Sequence, residues 1–284
     1  MTLAITCWGV RGSIPTPGAG TVRFGGNTPC LTVSDESGHR LIIDAGTGIR
    51  QLGRALDSGE RHLPELTILL SHTHWDHIQG LPFFLPLHRA GNHVTVLGPK
   101  QPGPSLESVL GSQMAPAVFP VPLTALAAEL AVTEITAPEF AVSGFRVRAI
   151  PLCHPGATLG FSISDSHGGP SFSYMTDNEL GASSGGADRR PFVRFLRGID
   201  TLVHDAMYFE SEKATRVGWG HSSAADAVAL ALEAGVRRLV LFHHDPSHDD
   251  DALGRLLAEA EAARARQNGE LTIMVGTEGT TFHC

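Results

Sequence analysis

The stretch that decides the fold is Ser71-His72-Thr73-His74-Trp75-Asp76-His77, which directly follows the apolar run Leu66-Thr67-Ile68-Leu69-Leu70. The run has the length and composition of a buried strand. Polar side chains are costly at the end of such a strand unless something binds them. Imidazole nitrogens and carboxylate oxygens suit zinc and other first-row divalent ions. The pattern therefore predicts a metal site, with His72 and His74 facing one ion and Asp76 and His77 a second. A loop that is rich in histidine by chance is the weaker interpretation.

Short runs rich in Val, Ile, Leu and Thr recur along the chain and predict further strands. They cover residues 3–8, 30–34, 40–44, 66–71, 93–97, 145–150, 158–164, 171–176, 201–204, 238–242 and 271–275. Helices are predicted at 49–56, 222–234 and 249–267, the last two opening on Ser and Asp caps. Strands followed by helices in both halves favour two β-sheets packed face to face with helices outside, in one domain spanning 1–284.

Composition excludes several classes of protein. The chain has 284 residues, of which 42% are hydrophobic and 18% charged, and no apolar run approaches the length of a membrane span. The formal net charge of −8 disfavours a broad basic face for long nucleic acid. Neither a CxxC pair nor a signal-peptide pattern is present, which predicts a reduced, cytoplasmic protein. Its four cysteines are Cys7, Cys30, Cys153 and Cys284.

The HxHxDH pattern resembles the signature of the metallo-β-lactamase superfamily. The resemblance implies a four-layer αββα sandwich of two mixed β-sheets, with a two-metal site at one edge of the sheets. It also implies three more ligands, in the order His, Asp, His, each at a strand end. His154, Asp177 and His243 follow strand-like runs in that order. His244 competes with His243, which is preferred because it directly continues its strand.

The same resemblance implies how the ligands divide between two divalent ions, with zinc expected first and manganese or iron as alternatives. The first ion would be held by His72, His74 and His154, the second by Asp76, His77 and His243, and Asp177 would bridge them. Asp44 matches an early acidic motif of the superfamily. Its implied role is to orient the ligand loop through hydrogen bonds, and a role as a turn or helix cap is equally open.

The C-terminal third resembles the ribonuclease Z-like phosphodiesterase branch. It contains His204-Asp205-Ala206, then Gly220-His221-Ser222-Ser223, a helix, and the strand that ends at His243. The resemblance implies that His221 reaches the substrate phosphate and that Asp205 pairs with it. The branch usually has Glu at the position of Asp205. Together with Asp76, these two residues form the predicted catalytic set.

The predicted function is hydrolysis of a small phosphodiester, with cyclic nucleotides as candidates, through a hydroxide bridging the two ions. Residues 7–17 and 25–30 resemble a subgroup of uncharacterised or cyclic-nucleotide-phosphodiesterase-like members. Arg11 and Asn27 either line the site or form a structural double turn. The Pro- and Gly-rich stretch 98–126 is hard to place and is interpreted as a pocket wall. Its Pro116, Phe119 and Pro120 are candidates for an apolar rim around a base.

Three alternatives stay open. The first is hydrolysis of a thioester, lactone or lactam, which requires no role for His221. The second is tRNA 3′ processing, which is disfavoured by the net charge and by the short stretch between His154 and Asp177, where an RNA-gripping arm would be inserted. The third is not an enzyme but a metal-bound sensor or a partner-binding module that has kept the site. The sequence predicts no membrane partner and leaves the oligomeric state open, with a homodimer as one candidate.

Overall fold

The structure, a computed structural model, describes residues 2–57, 65–166, 168–169, 171–181 and 188–284. These residues contain fourteen strands. They are β1 (Ala4–Gly9), β2 (Cys30–Ser34), β3 (Arg40–Ile43), β4 (Glu65–Leu69), β5 (His93–Pro99), β6 (Glu129–Ile135), β7 (Glu139–Val142), β8 (Phe145–Pro151), β9 (Leu159–Asp165), β10 (Ser171–Met175), β11 (Thr201–Asp205), β12 (Arg238–Phe242), β13 (Thr272–Val275) and β14 (Thr281–His283). They form two sheets of seven, ordered β14-β1-β2-β3-β4-β5-β6 and β13-β12-β11-β10-β9-β8-β7.

The same residues contain seven α-helices. They are α1 (Gly48–Asp57), α2 (Trp75–Ile78), α3 (Leu106–Ser112), α4 (Arg190–Phe195), α5 (Glu210–Lys213), α6 (Ala224–Ala234) and α7 (Asp250–Arg266). Helix α6 is capped by Ser223, one residue after the predicted start at Ser222, and its hydroxyl accepts the Asp226 N–H. At the start of α7, Asp249 accepts the Ala252 N–H, as predicted. Gly235 ends α6 in the left-handed conformation.

The buried apolar residues form three clusters that define four layers. The central cluster joins the facing sides of the two sheets, with Ile5 and Val33 from one and Val147 and Val203 from the other. A second cluster lies between the first sheet and helices α1 and α3. The third lies between the second sheet and helices α4, α6 and α7. The predicted αββα sandwich is therefore confirmed.

The sequence missed strands β6, β7 and β14. Strand β6 has no fully buried residue, so it lacks the apolar run that marked the central strands. Strands β6, β7 and β14 lie at sheet edges, where fewer side chains are covered. The stretch 98–126 contains the end of β5, helix α3 and a short 3-10 turn at Leu123–Ala125.

Strand direction decides where the functional residues meet. Strands β3 and β4 are parallel in the first sheet, and β10, β11 and β12 are parallel in the second. Strand β8 runs the same way as β10, since both are antiparallel to β9. The carboxyl ends of these strands therefore gather at one edge of the sandwich. Among the described residues, no helix is long and apolar enough to cross a membrane.

Candidate metal centre

The structure brings the seven predicted ligands together at this edge. The loop after β4 carries two of them and helix α2 the next two, while the remaining three follow β8, β10 and β12. They are His72, His74, Asp76, His77, His154, Asp177 and His243. Their nitrogen and oxygen atoms form overlapping groups of three, and within each group the atoms lie within 4.8 Å of one another.

The first group is the triad His72, His74 and His154. His74 Nδ1 lies 2.9 Å from His154 Nε2, and His72 Nε2 is buried with no hydrogen-bond partner among the described residues. Burial lowers the pKa of all three imidazoles, that of His72 well below its usual value. Three neutral rings with lone pairs converging on one point are what a divalent ion requires.

The second group is the triad Asp76, His77 and His243. His243 Nε2 lies 3.1 Å from Asp76 Oδ2 and 3.3 Å from His77 Nε2. Burial acts to raise the pKa of Asp76, but the neighbouring imidazoles outweigh it and hold that pKa well below its usual value. The carboxylate is therefore ionised and able to bind a cation.

Asp177 lies between the two triads and presents one oxygen to each. Its Oδ1 is 3.8 Å from His72 Nε2 and 3.6 Å from His154 Nε2. Its Oδ2 is 3.2 Å from His77 Nε2 and 3.4 Å from His243 Nε2. This is the position that a carboxylate shared by two ions would occupy. The nitrogen-rich donor set, with its orphaned His72 Nε2, fits a pair of divalent first-row ions.

The backbone is unusual at this edge. Asp44, Asp177 and His243 each follow a strand directly or by one residue, and their φ angles are 59°, 55° and 61°. Residues other than glycine seldom adopt this left-handed conformation, which is retained where the surroundings fix it and which clusters at functional sites. All three turn the chain sharply at a strand end, and two of them are predicted ligands.

Asp44 lies beneath the second triad and accepts hydrogen bonds from three residues. His77 Nδ1 donates to its Oδ2 at 2.8 Å, and the Tyr174 hydroxyl donates to the same oxygen at 2.7 Å. Ser71 donates from its N–H and from its hydroxyl, at 2.7 and 2.9 Å. The prediction that Asp44 orients the ligand loop is confirmed by these contacts, which fix the His77 ring with Nε2 directed at the second triad. The sequence did not identify Ser71 or Tyr174, because nothing local reveals that their hydroxyl groups meet Asp44.

His221 and Asp205 form a pair beside the cluster. Asp205 is the last residue of β11, and His221 lies in the segment that leads into α6. His221 Nδ1 donates to Asp205 Oδ2 at 2.6 Å, so the shorter side chain still reaches its partner. The Asp205 carboxylate is fixed by the N–H groups of Ser222 and Asp177. Burial acts to lower the pKa of His221, but Asp205 outweighs it and raises that pKa to about 9. The His221 ring stacks on His243, with centroids 5.0 Å apart.

The structure separates His243 from its competitor. His244 is fully buried, and its Nε2 donates to the Gly276 carbonyl at 2.9 Å, away from the two triads. Burial lowers the pKa of His244 to about 3, so the ring is neutral. The contacts of His243 with Asp76 and His77 assign it to the cluster.

The N-terminal loop contributes two residues that the sequence did not identify. The Ser13 N–H donates to Asp76 Oδ2 at 2.7 Å. Gly12 packs on the His243 imidazole so closely that a Cβ atom there would lie 2.5 Å from the ring. Arg11 is buried and donates to the carbonyls of Gly25, Asp245 and His248, while Asn27 donates to Glu278. Arg11 and Asn27 therefore form the structural double turn.

Comparison with known proteins agrees with this architecture. A ribonuclease Z of Bradyrhizobium sp. is 29% identical over 83% of this chain and 89% of its own. Among solved structures, unliganded yeast PDE1 has a TM-score of 0.74 and 15% identity, covering 99% of both chains. A diphosphatase from the PhnP family has a TM-score of 0.68 and 17% identity, covering 99% of this chain and 97% of its own. Residues 39–244 match the family described as the beta-lactamase superfamily domain, to which this chain, with its metallo-β-lactamase fold, therefore belongs.

Proposed function

We propose that the protein is a phosphodiesterase that uses two divalent metal ions to hydrolyse small phosphodiesters, with cyclic nucleotides as the first candidates. The observation that carries this proposal is the His221–Asp205 pair. It lies beside the cluster, with His221 Nδ1 2.6 Å from Asp205 and 4.0 Å from Asp177. Hydrolysis of a neutral ester or lactam at the same ions has no need of a second, cationic group, whereas a phosphoryl group carries negative charge that such a group stabilises.

The residues that would hold the ions follow from the two triads. His72, His74 and His154 form one donor set, Asp76, His77 and His243 form the other, and Asp177 offers an oxygen to each. Zinc is the first candidate for donor sets rich in imidazole, and manganese or iron also suits them. When bound, the ions would supply Lewis acidity and an activated water.

His221 would act on the phosphoryl group or on the leaving oxygen. Its Nδ1 proton is held by Asp205, which leaves Nε2 free, and no described residue forms a hydrogen bond with that nitrogen. A protonated Nε2 can donate to a phosphoryl oxygen or protonate the departing alkoxide. Asp205 fixes the ring orientation and favours the protonated form.

The relatives support a phosphorus compound as substrate. The name ribonuclease Z points to hydrolysis of a phosphodiester in that protein, and the name diphosphatase points to hydrolysis of a diphosphate in the other. The ribonuclease Z likeness favours tRNA processing as the second candidate. Against it, the net charge is −8, and β9 and β10 occupy most of the stretch between His154 and Asp177.

A substrate screen on metal-loaded protein tests the proposal. Cyclic mononucleotides, cyclic dinucleotides, bis-p-nitrophenyl phosphate, a thioester, a lactone and a tRNA precursor are compared at equal enzyme concentration. We expect turnover of at least one small phosphodiester, with a kcat/KM well above that for the thioester and lactone. Turnover of the carboxylic esters alone would contradict the proposal, as would cleavage of the tRNA precursor alone. If the metal-loaded protein hydrolyses none of these compounds, the result would favour the non-catalytic alternative, a metal-bound sensor.

A further inference from the structure

A tryptophan lies exposed on the helix that carries two of the predicted ligands. Trp75 is placed between His74 and Asp76, which belong to different triads, and 65% of its surface is exposed. Phe83 and Val118 are also exposed, at 53% and 70%. A patch of large, solvent-exposed apolar side chains often indicates a contact site for a ligand or a partner.

These side chains line one groove, which we name the aromatic groove. Its volume is about 470 Å³, within the range of small-molecule sites. Phe83 and Phe119 meet edge to face there, with centroids 5.5 Å apart. The lining residues are Trp75, Gln79, Pro82, Phe83, Ser112, Gln113, Val118 and Phe119. Of the predicted apolar rim, Phe119 lines the groove, whereas Pro116 and Pro120 are exposed and do not.

The polar groups of the groove are neutral amides. Gln79 Nε2 donates to the Thr28 hydroxyl, which leaves its carbonyl oxygen as an acceptor. Gln113 Nε2 is buried and has no hydrogen-bond partner among the described residues. Such an unpaired polar group calls for an explanation, which a polar ligand atom would supply. No charged side chain is among the described residues that line the groove, so the groove favours a neutral, flat and polar group.

We propose that the aromatic groove binds the nucleobase of the substrate, while the phosphodiester lies at the two triads. The inference rests on the proposed function and narrows it to nucleotide esters. Aromatic faces stack on any base, and amide groups hydrogen-bond to base edges. The groove is lined by Trp75 at the start of helix α2, the same helix that carries Asp76 and His77 of the second triad, so one short element connects the groove with the predicted metal site. An alkyl or acyl substituent would leave the buried Gln113 amide nitrogen without a partner.

The test compares two esters that share a leaving group. Thymidine 5′-p-nitrophenyl phosphate carries a base, and methyl p-nitrophenyl phosphate does not. We expect the ratio of their kcat/KM values to fall by about ten-fold in Phe119→Ala, because stacking on one aromatic ring contributes about 1–3 kcal/mol. Phe119→Leu, which keeps apolar volume without a ring, should behave like alanine, whereas Phe119→Tyr should keep the ratio. Metal content is measured on each variant.

A binding measurement gives a second readout that does not depend on turnover. Stacking of a base on Trp75 should quench its fluorescence when a nucleoside monophosphate is added, and Trp75→Phe should abolish that quenching. A dinucleotide and a longer single-stranded RNA, used as competitors, separate a small nucleotide from an RNA end, because only an RNA site gains affinity with length.

The outcomes separate the two proposals. If wild type hydrolyses both esters and Phe119→Ala leaves their ratio unchanged, the groove does not bind the base, although the phosphodiesterase proposal stands. If wild type hydrolyses neither ester and no phosphodiester of the substrate screen, the proposed function fails and fluorescence decides the inference. Absence of quenching by nucleoside monophosphates would then overturn it.

Discussion

Replacement of His221 by alanine should lower kcat/KM for bis-p-nitrophenyl phosphate by about 10²- to 10⁴-fold, the usual contribution of a positioned acid or base. The variant loses the cationic group that Asp205 holds at 2.6 Å, while both triads keep all their donor atoms. Metal content should therefore stay at the wild-type value. Measurement of kcat/KM and of bound metal on the same sample tests both parts of the prediction.

His93 offers a matched control. It is an exposed histidine paired with Glu129 at the start of β5, at the opposite end of the strand from the metal edge. His93→Ala should keep wild-type activity and metal content. Unchanged phosphodiester turnover in His221→Ala would remove the reason to prefer a phosphodiester over a thioester or lactone.

Replacement of Gly12 by alanine should weaken binding of the second ion by about 10- to 100-fold, the range seen when a residue that supports a metal ligand is altered. A Cβ at this position would lie 2.5 Å from the His243 ring. The loop cannot easily withdraw, because the Gly12 N–H donates to the His244 carbonyl and the Ser13 N–H donates to Asp76. The His243 ring must therefore move out of the second triad.

Gly18 provides the control, since it lies in the same N-terminal segment and a Cβ there would meet no atom within 4 Å. Its φ of 166° is extended backbone that alanine adopts readily. Chelator competition on both variants measures the affinity of the second ion. Equal affinity in Gly12→Ala and Gly18→Ala would show that His243 does not hold that ion through this packing.

The sequence predicted most of the fold because the central strands carry uninterrupted apolar runs. Strands β2 and β12 have the predicted bounds, since each is buried over nearly its whole length. Strands β6 and β7 alternate exposed and partly buried residues at the sheet edges and gave no comparable signal. The strands that could be predicted from the sequence were therefore the buried ones, because burial and not local propensity produces the apolar runs.

The grouping of His72, Asp177 and His243 was predicted from the resemblance to the superfamily, which implies ligands at strand ends. In the structure all three follow strands whose carboxyl ends lie at one edge of the sandwich. Support from distant parts of the chain was not predictable. Gly12 contacts His243 and Tyr174 donates to Asp44, and both contacts exist only after the sheets have packed. The close approach of Gly12 to the His243 ring and the direction of the Tyr174 hydroxyl cannot be recognised from the neighbouring sequence.

Anomalous diffraction from crystals of the zinc-loaded protein, recorded at the zinc absorption edge, tests the central claim most directly. The account predicts two peaks about 3.5–4 Å apart, as in other two-metal sites, on either side of the Asp177 carboxylate. One peak should lie within His72, His74 and His154 and the other within Asp76, His77 and His243. A single peak, or peaks outside these two triads, would contradict it.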